Sequence, residues 1–277
     1  MDVWQRLRDW PELILDVLPN EGVGRITLNR PDKRNCWNAG MCDAYLAALE
    51  MIRPDRSIKA VITRGAGPVF SSGLDLTFLR DYNSGPLLDW DRPNPVVQVG
   101  EQIRQFPRIM IAQVHGYCLG GAIGIINAHD LVYASEEAQI GMPEILRGSF
   151  GQIVTATLLH GGLAVKKLAH IALLGRNFSG REASSLGIIS EAFPAVSLEE
   201  EVTAIAREIG SRHLAALEHH KVAVQLGRDL SISQAIQIDQ LAGQRLRRAM
   251  DPLGDVDSYL KSQKGGPNVA YRRPDVK

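Results

Sequence analysis

The chain has 277 residues, of which 45% are hydrophobic and 22% are charged. This composition is typical of a folded protein with a sizeable core, and it argues against intrinsic disorder. Lys and Arg together number 31, as do Asp and Glu, so the formal net charge is zero. A neutral chain has no basic bias toward nucleic acid or a membrane surface, and we expect neither as a partner.

The sequence shows neither a clear targeting signal nor a cysteine pattern typical of disulfides. The chain begins MDVW, without the basic and apolar regions of a signal peptide. No apolar run reaches the roughly 18 residues of a membrane helix. We therefore expect a cytoplasmic protein. Cys36, Cys42 and Cys118 form no CxxC pair and are odd in number, so we expect buried thiols rather than disulfides.

The first part of the chain alternates short apolar runs with turns. Residues 13–18 and 23–28 flank a PNEG turn and are predicted to form two strands. Asn38 is a plausible N-cap for the next helix. The apolar residues of that helix recur at helical spacing: Met41, Tyr45, Ala48, Leu49 and Ile52. Residues 59–63 then predict a buried strand.

The middle of the chain repeats the order strand, glycine turn and helix. Residues 81–95 are rich in Pro, Asp and Asn and predict a loop. A helix at 96–106 precedes a strand at 109–114. That strand leads into the glycine turn 116–121 and another helix, and a further strand is predicted at 131–134. This alternation indicates an α/β protein with parallel sheet.

The last third of the chain is predicted to be helical. Residues 198–213, 214–227 and 231–249 are three amphipathic stretches. No strand is predicted between residue 195 and the tail. We therefore divide the chain into an α/β core at 1–195, a helical region at 196–261 and an irregular tail at 262–277.

Four short segments carry the candidate chemistry. They are NRPDKRN at 29–35, FSSGLDL at 70–76, GYCLGG at 116–121 and GMPEI at 141–145. In their order and spacing, the sequence resembles the crotonase (enoyl-CoA hydratase/isomerase) superfamily over about residues 13–260. The resemblance implies a spiral of ββα units with C-terminal helices, which form a homotrimer or a dimer of trimers and reach a neighbour's CoA site. It also implies an acyl-CoA thioester substrate and no metal or redox cofactor, because coenzyme A is part of the substrate.

The glycine segments suit the stabilisation of a thioester enolate. Such an enolate carries negative charge on its oxygen, and two fixed backbone N–H groups stabilise that charge. Glycine allows the backbone to approach a ligand closely, and the start of a helix presents free N–H groups. By resemblance, the two donors are the amides of Leu74 and Gly121. The other residues assigned to substrate binding are Lys33, facing the CoA phosphates, and Gly73, Asp75, Leu76, Gly120 and Trp90. We expect Asp75 to orient its loop or to cap the following helix.

Glu144 is the residue that the resemblance identifies as the catalytic carboxylate. Its neighbours in sequence are apolar: Ile140, Met142, Pro143 and Ile145. An apolar pocket raises the pKa of a carboxylate above about 4.3, toward a value useful for proton transfer near neutral pH. We therefore predict a Glu144 carboxyl with a raised pKa.

Gly124 marks a departure from the hydratases of this superfamily. In those enzymes a first glutamate lies twenty residues before the second, at the place of Gly124. Two carboxylates favour the addition of water, whereas one is enough to move a proton between two carbons. Δ3-Δ2 isomerases of the superfamily use one glutamate at the Glu144 position. Asp89 or Asp91 is a candidate replacement acid, beside an aromatic wall formed by Trp90.

Three functions remain open from the sequence. The first is an enzyme of the hydratase/isomerase group that works through an enolate. The second is a hydrolase of C–C bonds that cleaves a β-diketone or a β-keto thioester in a retro-Claisen reaction. The third is a non-catalytic CoA-binding or scaffold protein, since Gly124 removes one catalytic group.

Overall fold

The computed structural model describes residues 3–84 and 94–249, except for the side chains of residues 82, 83 and 249. It contains two compact units, Met1–Leu214 and Ala215–Lys277. The predicted tail at 262–277 and the residues Asp89, Trp90 and Asp91 lie outside the described residues.

Ten strands are found in the first unit. They are β1 (Gln5–Trp10), β2 (Leu13–Leu18), β3 (Val23–Leu28), β4 (Ala60–Gly65), β5 (Ile109–Val114), β6 (Tyr117–Leu119), β7 (Leu131–Ser135), β8 (Gln139–Gly141), β9 (Asn177–Ser179) and β10 (Glu191–Phe193). The predicted strands at 13–18, 23–28 and 109–114 have these bounds. Those at 59–63 and 131–134 differ by one or two residues at their ends.

Seven of the strands form one sheet in the order β1-β2-β3-β4-β5-β7-β10. β1, β2 and β3 pair antiparallel, and from β3 to β10 every pair is parallel. The parallel part follows from helical crossovers between successive strands. A second sheet contains β6, β8 and β9, with β6 parallel to β8 and β9 antiparallel to it. The carboxyl ends of β4 and β5 therefore lead to the same edge of the large sheet.

Ten α-helices lie within the described part of the chain. They are α1 (Ala39–Ile52), α2 (Leu76–Asn83), α3 (Pro95–Gln105), α4 (Gly121–Ile126), α5 (Gln152–His160), α6 (Val165–Leu174), α7 (Gly180–Ser185), α8 (Leu198–Gly210), α9 (Leu214–Gly227) and α10 (Ile232–Ala249). Short 3₁₀ helices occupy Pro31–Lys33 and Pro143–Arg147. Because α2 continues to Asn83, the prediction that 81–83 belong to a loop is wrong.

The predicted cap of α1 is confirmed, because the Asn38 side chain accepts a hydrogen bond from the Met41 amide at 2.9 Å. The buried face of α1 packs against α3 and the sheet, and Met41, Tyr45 and Leu49 are fully or almost fully buried there. All three cysteines are buried and free. The core therefore lies between the large sheet and its helices.

The second unit contains α9 and α10. Beyond β10 the described residues contain helices and no strand, as predicted. α8 packs against β3, β4, β5 and β7, so it belongs with the sheet, and the units divide later in the chain than residue 195. No helix in the described ranges is both long and apolar enough to cross a membrane.

Candidate active site

A cavity of about 330 Å³ opens where the glycine turns of the sequence meet. One side of it, the Leu74 wall, is formed after β4 by Ser72, Gly73, Leu74 and Leu76. The opposite side, the Glu144 wall, is formed by residues 143–154. Residues 120 and 121, at the start of α4, lie between the two walls. The residues that line the cavity are Ser72, Gly73, Leu74, Leu76, Leu79, Asn94, Gly120, Gly121, Pro143, Glu144, Arg147, Ser149, Phe150, Gly151, Gln152, Ile153 and Val154.

The Leu74 wall is fixed by backbone pairing with Trp37. The Trp37 amide donates to the Gly73 carbonyl, and the Asp75 amide donates to the Trp37 carbonyl, each at 2.9 Å. Leu74 lies between these two bonds and pairs with Trp37 as an isolated parallel bridge. Within the described part of the chain, no acceptor receives the Leu74 amide. The backbone around Leu74 is thus held in place while its own N–H remains available.

A polar cluster behind this wall holds the same loop. Both terminal nitrogens of Arg30 lie 3.3 Å from Asp75 Oδ2, and the Cys36 thiol lies 3.4 Å from the same oxygen. Asp75 Oδ1 accepts the Thr77 amide at 3.0 Å and so caps α2. Burial raises the pKa of Asp75, but hydrogen bonds from Cys36, the amides of Thr77 and Phe78, and Arg30 outweigh it, so the pKa is lowered. Asp75 is therefore held as an anion.

Asn35 ties the 29–35 segment to the loop after β4. It adopts a positive φ of 52°, which its short amide side chain tolerates. The side chain accepts the Arg30 amide at 2.9 Å and donates to the carbonyls of Ala66 and Val69 at 2.9 and 2.8 Å. The Ser71 hydroxyl donates to the Asn35 carbonyl at 2.8 Å. Two segments of the sequence motif thereby support the Leu74 wall together.

Gly73, Gly120 and Gly121 allow the walls to approach the start of α4. A β-carbon at Gly73 would lie 2.6 Å from the Leu119 carbonyl oxygen and 3.5 Å from the Gly121 nitrogen. A β-carbon at Gly121 would lie 2.9 Å from Leu74 Cγ. Real β-carbons do not approach other atoms this closely, so side chains are excluded here. Gly121 is the first residue of α4, where the amide has no acceptor within its helix.

Glu144 lies directly beside Gly120. Gly120 has a φ of +53°, and a β-carbon there would lie 2.6 Å from Glu144 Oε1. Gly151 approaches from the other side, where a β-carbon would lie 3.6 Å from Glu144 Cδ. Within the described residues, the buried oxygen Glu144 Oε2 has no hydrogen-bond partner. The carboxylate therefore lies beside the residue that precedes α4, in the same cavity as Leu74 and Gly121, and its Oε2 atom is not used in a structural contact.

Burial raises the pKa of Glu144, while its own backbone amide and the positive charge of Arg147 lower it by smaller amounts. This direction agrees with the prediction from the apolar flanks. Ile140 and Met142 are buried as expected, but Ile145 is 41% exposed. The 3₁₀ geometry of 143–147 is the reason, because it turns Ile145 to a different side from Glu144.

Gly124 lies one turn into α4, facing α5. A β-carbon at Gly124 would lie 3.0 Å from Ile153 Cγ2. Ile153 lines the cavity, whereas Gly124 does not. An apolar side chain from α5 thus lies between Gly124 and the cavity. Among the lining residues that the structure describes, Glu144 is the single carboxylate.

The family of the chain follows from the comparison with known proteins. A family model described as enoyl-CoA hydratase/isomerase matches residues 19–249, which is most of the chain. The chain belongs to the enoyl-CoA hydratase/isomerase family. The predicted membership of the crotonase superfamily and the predicted α/β fold class are confirmed.

Curated members of the family similar to this chain include both isomerases and hydratases. The peroxisomal Delta(3,5)-Delta(2,4)-dienoyl-CoA isomerase of Arabidopsis thaliana is 28% identical over 228 residues, covering 78% of this chain and 82% of the relative. A probable enoyl-CoA hydratase of Rhizobium meliloti is 28% identical over 244 residues, covering 87% of this chain and 93% of the relative. The crystal structure of an enoyl-CoA hydratase/isomerase from Xanthobacter autotrophicus Py2 matches with a TM-score of 0.72 at 31% identity. The match covers 84% of this chain and 88% of that structure's chain.

The enoyl-CoA hydratase/isomerase fold brings most of the predicted site residues together. Leu74, Gly121 and Glu144 line one cavity, as do Gly73, Leu76 and Gly120. Asp75 does not line it, and its carboxylate binds Arg30 and caps α2 instead. Lys33 is exposed at the end of a 3₁₀ helix, outside the cavity lining. Its contact with CoA phosphates stays a prediction, and Trp90 lies outside the described residues.

Several residues of the Glu144 wall were missed in the sequence. Arg147, Phe150, Gly151 and Ile153 line the cavity without belonging to a recognised motif. Arg147 had one usable signal, because it lies three residues after Glu144, and that spacing places two side chains on one side of a 3₁₀ helix. The others depend on how α5 packs against α4.

Proposed function

We propose that this chain is an acyl-CoA enzyme that moves a proton through a thioester enolate, as an isomerase does. In this reaction the Glu144 carboxylate removes a proton from C2 of a 3-enoyl thioester. The electron pair of that C–H bond shifts toward the thioester oxygen, which accepts hydrogen bonds from the Leu74 and Gly121 amides. Glu144 then returns the proton to C4, and the double bond moves to C2–C3.

The observation that supports isomerisation is that Glu144 is the single carboxylate among the described residues that line the cavity. Glu144 has a raised pKa and an unpartnered buried oxygen, which suit a group that takes up a proton and releases it again. Each fixed amide donor to an oxyanion contributes about 10²- to 10³-fold in rate. Hydration, in contrast, benefits from a second acid to position water, and the side chain nearest to Gly124 is the apolar Ile153.

Incubation with three substrates tests this function. A short 3-enoyl-CoA is expected to be converted to the 2-enoyl-CoA, which is followed by the absorbance of the conjugated thioester. The matching 2-enoyl-CoA is expected to gain water much more slowly. Cleavage of a cyclic β-diketone to a ring-opened acid, without CoA and without isomerisation of the 3-enoyl-CoA, would contradict the proposal and support C–C bond hydrolysis.

A homotrimer or a dimer of trimers is part of the same proposal. Leu146 and Phe150, close to Glu144 in the chain, are 70% and 67% exposed, and Leu173 on α6 is 69% exposed. Large apolar side chains that cluster at a surface favour association with another subunit. The 3₁₀ helix that carries Leu146 packs against α6. Light scattering after size-exclusion chromatography is expected to give a multiple of three chains, and a monomer would contradict this assignment.

A further inference from the structure

Arg147 places a positive charge on the Glu144 wall. It ends the 3₁₀ helix Pro143–Arg147, in which Glu144 occupies the second position. A 3₁₀ helix has three residues per turn, so residues three apart lie on the same side. Both side chains line the cavity. The positive charge of Arg147 also acts on the Glu144 carboxyl, which requires the two groups to be near each other.

Arg147 is an exposed residue, and its guanidinium contacts solvent instead of a partner within the described part of the protein. No ion pair or hydrogen bond joins its guanidinium to a described residue, Glu144 included. Glu144 is the single acid among the lining residues that the structure describes, and proton transfer requires that acid. Behind the opposite wall, the carboxylate of Asp75 is paired with Arg30. A cation left unpaired beside a reaction centre is suited to bind a negative group of the ligand.

The position of Arg147 indicates which part of the ligand it meets. The phosphates of coenzyme A are separated from the thioester by the whole pantetheine arm. A cation close to the Glu144 carboxylate is therefore near the acyl group and not near the phosphates. The cavity holds about 330 Å³, which suits a short acyl group. Besides Glu144 and Arg147, the polar side chains of the described lining are neutral: Ser72, Asn94, Ser149 and Gln152.

We propose that the acyl group of the substrate is short and ends in a carboxylate, which Arg147 binds. The substrate class is then the CoA thioester of a short dicarboxylic acid. Arg147 determines specificity in this assignment and takes no part in proton transfer. The inference rests on the proposed function in that it takes the ligand to be a CoA thioester.

Binding of two saturated thioesters, which have no double bond to isomerise, tests the inference apart from isomerisation. Glutaryl-CoA and pentanoyl-CoA have five acyl carbons each and differ in the terminal carboxylate. Isothermal titration of the full-length protein is expected to show about tenfold tighter binding of glutaryl-CoA, since charge-assisted hydrogen bonds of Arg are among the stronger ones. Arg147→Gln is expected to remove this preference and to leave the affinity for pentanoyl-CoA unchanged.

Two further variants serve as controls. Arg147→Lys keeps the charge and is expected to restore part of the preference. Arg8→Gln removes an exposed arginine of β1, outside the cavity lining, and is expected to bind both thioesters like the wild type. Equal binding of the two thioesters by the wild type, or no binding of either, would overturn the inference, as would a preference that survives Arg147→Gln. Should the preference hold while no thioester exchanges its C2 proton, the proposed catalysis fails and the inference stands.

Discussion

The Leu74 wall and the Glu144 wall face the same cavity, but their polar atoms are satisfied to different degrees. Behind the Leu74 wall, Asp75 accepts hydrogen bonds from Arg30, Cys36 and the Thr77 amide. On the Glu144 wall, a buried carboxylate oxygen and the guanidinium of Arg147 have no partner among the described residues. A buried polar oxygen without a partner is costly, as Glu144 Oε2 is, whereas Arg147 is an exposed residue whose charge solvent can stabilise. The difference indicates that one wall serves to hold backbone in place and the other to meet a ligand.

The largest effect is expected from Glu144→Gln, which keeps the shape of the Glu144 wall and removes its base. Isomerisation of a 3-enoyl-CoA is expected to slow by about 10³-fold, the usual size of a general-base contribution. Thioester binding is expected to persist. Steady-state kinetics measures both. Glu137→Gln, which removes one exposed carboxylate outside the cavity, is the matched control and is expected to match the wild type.

Gly120→Ala tests whether close contact positions the carboxylate. The new β-carbon would lie 2.6 Å from Glu144 Oε1, so that carboxylate must move. Displacement of a catalytic group by about 1 Å costs about 10²-fold in rate. Gly187→Ala is the control, because Gly187 also has a positive φ of 71° but nothing within 4 Å of its would-be β-carbon. Gly187→Ala is expected to lose roughly 1 kcal/mol of unfolding free energy, and Gly120→Ala more, because its ψ of −128° lies outside the left-handed helical region. A similar loss of turnover in both would show that strain, and not contact with Glu144, matters.

Asp75→Asn tests the Leu74 wall and is expected to act on stability more than on Glu144 chemistry. Loss of the ion pair with Arg30 and weakening of the α2 cap are expected to cost about 1–2 kcal/mol in urea unfolding. The pKa of Asp75 is lowered in the fold. The ionised carboxylate therefore contributes fully to the unfolding free energy above the unfolded pKa of about 3.9. This stabilisation is lost as pH falls through the pKa of the folded protein. The difference in unfolding free energy between the wild type and Asp75→Asn is therefore expected to become smaller on acidification. A difference in unfolding free energy that does not change with pH would show that the ionised form of Asp75 does not stabilise the fold.

The smallest effect is expected in the stability of Glu144→Gln. The pKa of Glu144 is raised by burial, so the folded protein binds a proton more readily than the unfolded chain. The wild type consequently loses stability as pH rises from about 4.3 through the folded pKa, and this loss persists at neutral pH. Glu144→Gln is expected to be more stable than the wild type at pH 7, by less than about 1 kcal/mol, and not at pH 4. Thermal unfolding at the two pH values measures this. A less stable variant at pH 7 would show that the ionised carboxylate supports the fold.

The sequence predicted the parts of the fold that depend on local patterns. The alternation of apolar runs predicted β2, β3 and β5 with their observed bounds, and Asn38 predicted the start of α1. The short strands β6, β8, β9 and β10 were missed, because three residues carry too little periodicity. β1 was also missed, since five of its six residues are exposed and do not alternate.

The candidate site also has parts that local sequence predicts and parts that depend on tertiary packing. A glycine turn and a glutamate with apolar neighbours can be recognised in a sequence, so Gly120, Gly121 and Glu144 were correctly predicted to lie together. The environment of Gly124 was not visible, because Ile153 reaches it from α5 through tertiary packing. The polar network of Asp75 likewise depends on Arg30, which lies 45 residues away in the chain.

Proton exchange at C2 tests the central claim most directly, because it reports the enolate before any later step. A panel of acyl-CoA thioesters, including butanoyl-, pentanoyl- and glutaryl-CoA, is incubated with the protein in D₂O, and deuterium at C2 is followed by proton NMR. Exchange is expected with the wild type, and none above background is expected with Glu144→Gln. Exchange that persists in Glu144→Gln, or its absence for every thioester with the wild type, would contradict the account.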